Sequence, residues 1–304
     1  MEFKIDRKIC LGISACMFGA KVRYNGKGWD MLGELKREKG SFQWVPICPE
    51  VMSGLGVPRN PISLSGGTGF DFWKGDARIK DRQGKNLSEM IKEGCEDGSK
   101  ILQRSHVDAY IFMEGSPTCG VYRTSLKGKR LGNPPGVFGA KLLDEGYFLI
   151  PAQDLASPIK WWDWRRRLTA FVWLKNLTLT SNKEIYEMWH ILKFLCQELD
   201  EPFARKLGNN FAELKRELPL EEIELIRTEI LTLLRKPTEV EKIKHWLWKN
   251  YSYLKKHFDI NIPEVQDVAE LRSGTHIAQE LLKVEIQSRK DNLLFGSSPI
   301  IYKF

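Results

Sequence analysis

The sequence predicts an α/β fold in its first half, a mostly parallel sheet with helices, followed by an all-α second half. Three observations predict it. Up to Pro158, short β-rich runs alternate with helical patterns, the texture of sheets covered by helices. After Pro158 the strand signals stop and apolar residues recur at helical spacing. The 304 residues are long for a single core, so two domains are expected, residues 1–158 and 159–304.

Taken in order, Lys8 to Ser14, Trp44 to Ile47, Ala77 to Lys80, Ala109 to Met113 and Tyr147 to Pro151 read as strands. Several are apolar enough to lie buried in a parallel sheet. Between them, Asn86-Leu87-Ser88-Glu89 resembles a capping box opening a helix that carries Met90, Ile91, Cys95, Ile101 and Leu102. The connections Gly54 to Pro61, Gly66 to Gly69 and Gly132 to Gly139 are rich in Gly and Pro, which suits backbone approaching a ligand closely. In the second half, Ile185, Met188, Trp189, Leu192 and Leu195, then Ile223, Ile226, Ile230, Leu233 and Leu234, repeat at helical spacing. Pro202, Pro219, Pro237 and Pro263 fall where helices are expected to start, as in a bundle with short turns.

A net charge of +8 and a pI near 9.1 favour anionic partners such as nucleic acid. The charge is spread: residues 160–304 hold 24 Lys and Arg against 21 Asp and Glu, leaving 23 against 18 before them. Basicity therefore gives RNA binding little support. Trp161, Trp162 and Trp164 with Arg165 to Arg167 could stack on unpaired bases and hold phosphates. Interdomain packing with a solvated basic edge is the stronger expectation. No signal-peptide succession opens the sequence and no apolar run is long enough to cross a bilayer, so a cytoplasmic protein without membrane contact is expected.

Six irregularly placed cysteines in such a chain read as metal-binding or catalytic thiols instead of a disulfide framework. Cys95 and Cys196 lie in helical patterns among apolar neighbours, and Cys10 in the first strand; all three read as core. Cys16, Cys48 and Cys119 differ, because each follows a strand and is flanked by Pro, Gly or Ser. Ligands of open α/β sheets collect outside the carboxyl ends of the strands, so these three are expected to share one site. Three thiolates there could hold zinc with one open position, or three irons of a four-iron cluster whose last iron stays free. Glu50, two residues after Cys48, is placed to act as general base beside such a centre; a Glu at a helix start is the plainer reading. Ser116 could hydrogen-bond a substrate, or form an ordinary turn. Gly66-Gly67-Thr68-Gly69 lacks the Lys and spacing of a phosphate loop, and the five histidines form no close pair of metal-ligand type.

Three blocks occur in order: Ile13-Ser14-Ala15-Cys16-Met17-Phe18-Gly19 with Val22 to Gly26; Val45-Pro46-Ile47-Cys48-Pro49-Glu50 with Gly54-Leu55 and Pro58-Arg59; and Glu114-Gly115-Ser116-Pro117-Thr118-Cys119-Gly120. Together they resemble the thiouracil desulfidase family over about residues 7–150. The resemblance implies a [4Fe-4S] cluster held by Cys16, Cys48 and Cys119 with one open iron, and Glu50 and Ser116 at the catalytic positions. It implies a non-redox conversion of C=S to C=O on a thiolated uracil, with loss of hydrosulfide. Asn25 stands where the family commonly has Asp, and Ser63 near a position often occupied by Glu. Relatives with a following helical domain are associated with 4-thiouridine in tRNA, which makes tRNA a candidate partner and gives the helical half an RNA-contacting or substrate-access role. Two other readings stay open: a non-catalytic RNA-binding or redox-sensing iron-sulfur protein, and a zinc-dependent hydrolase using the same cysteines.

Overall fold

The computed structural model describes residues 2–124, 133–214 and 216–302, apart from the Arg37 side chain, so Gly132 of the Gly132 to Gly139 connection lies outside the described residues. The chain divides into two compact units. One runs from Lys8 to Ala156; the other takes the residues up to Arg7 together with those from Ser157 onward.

The strands in chain order are β1 (Lys4–Ile5), β2 (Ile9–Ser14), β3 (Phe42–Ile47), β4 (Ile62–Ser65), β5 (Arg78–Asp81), β6 (Ala109–Phe112), β7 (Phe148–Pro151) and β8 (Ile301–Tyr302). In the first unit, four of them form a wholly parallel sheet in the order β3-β2-β6-β7. β2, β6 and β7 are buried along their whole length, as their continuous apolar runs require. The strand expected at Ala77 to Lys80 is not part of this sheet. It is β5, paired antiparallel with β4 in a separate two-stranded sheet. The reason is alternation: Ile79 is buried while Arg78 and Lys80 are exposed, a one-faced pattern that a strand covered on both sides does not tolerate.

Among the described residues, four α-helices lie in this unit: α1 (Pro49–Met52), α2 (Gly69–Lys74), α3 (Ser88–Arg104) and α4 (Val137–Asp144). α3 buries Ile91, Cys95 and Leu102, but Met90 and Ile101 face solvent. No capping box forms at its start. The Asn86 carboxamide oxygen instead accepts the Ser88 N–H at 3.1 Å, and Ser88 Oγ accepts the N–H of Ile79, so the hydroxyl ties the helix to β5. Gly94 in α3 lets α1 pack at close range, since a Cβ there would lie 2.3 Å from the carbonyl oxygen of Pro49.

The second unit contains α5 (Pro158–Lys175), α6 (Asn182–Leu199), α7 (Glu201–Ala212), α8 (Leu220–Leu234), α9 (Val240–Phe258) and α10 (Gly274–Lys290). A two-residue parallel ladder of β1 with β8 accompanies the helices. Pro202 lies in the first turn of α7 and Pro219 caps α8. Pro263 starts no helix. Its segment is irregular because Ile260, Ile262 and Val265 are drawn into the core, and the Tyr251 hydroxyl satisfies the backbone N–H and C=O of Ile262 at 2.8 and 3.1 Å.

The Trp161 to Arg167 run packs as expected but corrects base stacking, and it corrects the solvated edge at Arg166 and Arg167. Trp161, Trp162 and Trp164 are buried, as are Arg166 and Arg167. Asp163 accepts two N–H groups from each of these arginines, at 2.7 and 3.0 Å. Arg166 also reaches Glu198 at 2.5 Å and lies over the Trp162 ring, while Arg167 lies over Trp164. The charges are buried because they are paired with one another. Among the described residues no helix is long and apolar enough to cross a membrane.

Candidate active site

Each of the three strand-end cysteines leaves the sheet differently. β2 passes directly into a single 3₁₀ turn, Ala15–Met17, which carries Cys16; the Trp29 N–H donates to the Cys16 carbonyl at 2.7 Å. Cys48 is the N-cap residue of α1, immediately after β3. Cys119 sits in the turn after β6, where Gly120 N–H donates to Ser116 O at 2.9 Å and Val137 and Phe138 N–H donate to Pro117 O and Thr118 O at 3.1 and 2.9 Å. These last bonds fix the turn on the N-terminus of α4. Behind it the buried Glu114 carboxylate accepts the N–H groups of Val121, Tyr122 and Arg123 at 3.1 to 3.3 Å.

The order β3-β2-β6 brings the three carboxyl ends side by side. From β2 the chain runs to β3 on one side and later returns to β6 on the other, so the site lies at the switch point of the sheet. Cys16, Cys48, Cys119, Glu50 and Ser116 all line one cavity of about 360 Å³. Arg23, Tyr24 and Arg59 line it too, and Val22, Ile47, Ile62 and Met113 supply apolar wall. That composition, apolar surface with a few convergent polar groups, is that of a small-molecule pocket.

Glu50 is held from two directions. Arg59 Nε donates to its Oε2 at 3.1 Å and Arg59 Nη2 meets the same oxygen. Its other oxygen, Oε1, lies 3.5 Å from Ser116 Oγ. The Ser116 hydroxyl oxygen accepts the N–H groups of Thr118 and Cys119 at 3.1 Å each, so this serine forms the turn while also lining the cavity. Arg59 is itself fixed by Val22 O at 2.9 Å. The Arg23 guanidinium lies 3.9 Å over the Trp29 ring.

Burial pushes all three thiols up. Cys16 rises to about 12, with Cys48 as its next cause and Arg23 opposing. Cys48 is raised by burial against hydrogen bonds from the start of α1. Cys119 is raised well above the ordinary thiol value by burial and then by Glu50. Three thiolates at this point therefore need a positive centre to ionise together, which a metal cluster supplies. Among the described residues, no three His, Cys, Asp or Glu side chains close around a single metal ion. The three sulfur donors are those of Cys16, Cys48 and Cys119, which line one cavity, and thiolates are the ligands that iron-sulfur clusters and zinc both take.

Cys10 lies at the start of β2, the opposite end of the strand, and is buried with its N–H donated to the Asp108 carboxylate at 2.9 Å. Cys95 and Cys196 are fully buried on α3 and α6. The two departures are not among the lining residues but neighbour them, next to Tyr24 and Ile62: Asn25 Oδ1 accepts the Lys27 N–H in an exposed turn, and Ser63 pairs with Lys80 within the β4–β5 ladder. Sequence reasoning quoted Arg59 within a motif without giving it a role, and missed Arg23 and Tyr24 as cavity residues. A lone arginine after a Pro in a loop carries no local signal of its partner.

The family profile described as 2-thiouracil desulfurase matches residues 11–154. The "Uncharacterized protein YbbK" of Bacillus subtilis (strain 168) is 32% identical over 148 residues, which span 47% of this chain and 95% of that protein. A solved structure described as a [4Fe-4S]-dependent thiouracil desulfidase, TudS, is 25% identical and covers 49% of this chain and 93% of its own, with a TM-score of 0.38.

Proposed function

The chain belongs to the 2-thiouracil desulfurase family through residues 11–154, and from that premise we propose that it is an iron-sulfur-dependent desulfidase acting on a thiolated uracil. The observation that carries this reading is the convergence of Cys16, Cys48 and Cys119 from three adjacent strand ends on the cavity that also holds Glu50 and Ser116. The three cysteines would hold a [4Fe-4S] cluster. When bound, the cluster supplies an iron free of cysteine, a thiophilic Lewis acid open to the substrate sulfur.

The protein's own residues perform the proton chemistry. Glu50, whose Oε2 accepts a hydrogen bond from Arg59, takes a proton from water whose oxygen bonds to the thiocarbonyl carbon. Ser116 Oγ, beside Glu50 Oε1, donates a hydrogen bond to the carboxylate or to the incoming base. The carbon–sulfur bond breaks, so that C=S and water become C=O, hydrosulfide and a proton, with no electron gained or lost. The apolar wall of Val22, Ile47, Ile62 and Met113 limits bulk water around the reacting atoms.

Free thiouracil, thiouridine and 4-thiouridine in tRNA all present the same thiocarbonyl. A base in tRNA has to be turned out of its stack to enter a cavity of this kind. The helical unit is proposed to shape access or contact RNA by surfaces other than the buried Trp161, Trp162, Trp164, Arg166 and Arg167.

The test is anaerobic turnover of 2-thiouracil, 4-thiouracil and 4-thiouridine by reconstituted protein, followed by loss of thiocarbonyl absorbance and by sulfide release. Glu50→Gln with a full complement of iron is expected to lose about 10²–10⁴-fold in kcat. Unchanged turnover in that variant removes Glu50 as base, and a loaded wild type that turns over none of these substrates removes the reading.

A further inference from the structure

Sequence reasoning gives Arg59 no role, yet its guanidinium is hydrogen-bonded to two separate parts of the cavity wall. Two of its nitrogens meet Glu50 Oε2, a third donates to Val22 O at 2.9 Å, and its backbone N–H donates to Tyr24 O at 2.9 Å. Its side chain is only 8% exposed and that of Glu50 14%. One guanidinium therefore joins the carboxylate of α1 to the Val22–Tyr24 wall, and both Glu50 and that wall line the cavity.

We infer that Arg59 is a positioning residue for the reaction: by engaging Oε2 alone, it fixes the carboxylate plane and leaves Oε1 as the oxygen that faces Ser116 and receives the proton. This rests on the desulfidase reading for the role of Glu50. The asymmetry of the contacts carries it, since both Arg59 donors converge on one oxygen while Ser116 Oγ stands 3.5 Å from the other. A side chain that served only to neutralise Glu50 would not need the second anchor on Val22 O. A planar fork satisfies both at once, whereas an ammonium on a flexible stem meets one or the other.

The experiment uses full-length, anaerobically reconstituted protein in five forms: wild type, Arg59→Lys, Arg59→Ala, Glu50→Gln, and Arg59→Ala combined with Glu50→Gln. Iron per chain, kcat and KM for 2-thiouracil and 4-thiouracil, and the urea midpoint of the metal-free chain are measured for each. Arg59→Lys and Arg59→Ala are expected to keep their iron and lose about 10–100-fold in kcat, with KM within about threefold of wild type. Added guanidinium ion is expected to restore part of the kcat of Arg59→Ala. The double variant is expected to lose no more than Glu50→Gln alone, as it must if Arg59 acts through that carboxylate.

Wild-type kcat in either single variant overturns the inference. So does loss of iron in both, which makes Arg59 a structural tie of the cysteine site, or a double variant whose losses multiply. If the loaded wild type turns over no thiouracil, the desulfidase reading fails first. The urea midpoints then still report whether Arg59 and Glu50 are coupled, and additive midpoints would remove the pairing itself.

Discussion

Gly136→Ala tests how closely the cysteine turn after β6 is set by its contact with α4. Gly136 is the N-cap of α4 with φ at −69°, a backbone that alanine adopts without strain, so the effect is purely steric. A Cβ there would lie 2.6 Å from Pro117 O and 2.7 Å from Thr118 O. A carbon resting on a carbonyl oxygen needs about 3.3 Å, so the turn and the helix start must separate by roughly 0.6 Å. The same two oxygens accept Val137, Phe138 and Gly139 N–H groups at 2.9 to 3.1 Å, and that separation takes all three past the usual range. Three bonds at about 1 kcal/mol each bound the loss near 3 kcal/mol, within the ordinary cost of overpacking of about 1–3 kcal/mol. Cys119 is one residue beyond Thr118 and moves with it, by more than the tolerance of about 0.2 Å on a metal–ligand distance. The assay is urea unfolding together with iron per chain after anaerobic reconstitution, with Gly33→Ala as control because nothing lies within 4 Å of a Cβ there. A lowered midpoint and lost iron are expected in Gly136→Ala alone. Wild-type values for both would refute the steric reasoning.

In the helical unit, Asp163→Asn takes the charge from between two buried arginines and is expected to cost about 3–5 kcal/mol, read by urea unfolding; a loss under about 1 kcal/mol would mean the network is not what holds those charges. Cys196 is fully buried and its thiol is pushed up to about 12 by burial from an ordinary value of 9.0. A folded pKa above the unfolded one gives stability that is complete below pH 9 and is lost as pH rises toward 12, at up to about 1.4 kcal/mol per pH unit. Cys196→Ala is therefore expected to flatten the fall of stability between pH 9 and pH 11, and equal slopes for variant and wild type would contradict the assigned cause.

The parts of the fold that were legible in the sequence are those decided locally. β2, β6 and β7 are continuous apolar runs, and helices α6 and α8 carry apolar residues at helical spacing. The strand β4 carries little local signal because Ile62-Ser63-Leu64-Ser65 is short, half serine and bounded by Pro61 and Gly66; its partner β5 does read as a strand, but its pairing with β4 is set by a contact the sequence does not show. The run Arg165-Arg166-Arg167 looks like a solvated face until Glu198 and Ser297, distant in sequence, are brought onto Arg166. At the site, Cys16, Cys48 and Cys119 could be singled out because each lies in the turn that follows a strand, and strand ends of a parallel sheet converge. Arg59 could not, because its role depends on how the Gly54 to Pro58 loop folds back onto α1.

The most direct test of the central claim is iron and acid-labile sulfide per chain after strictly anaerobic preparation, measured beside Cys16→Ser, Cys48→Ser and Cys119→Ser. The account predicts about four irons and four sulfides in the parent chain and their loss in each variant. A parent that takes up no iron on reconstitution, one that holds zinc in its place, or a variant that retains the full complement would contradict it.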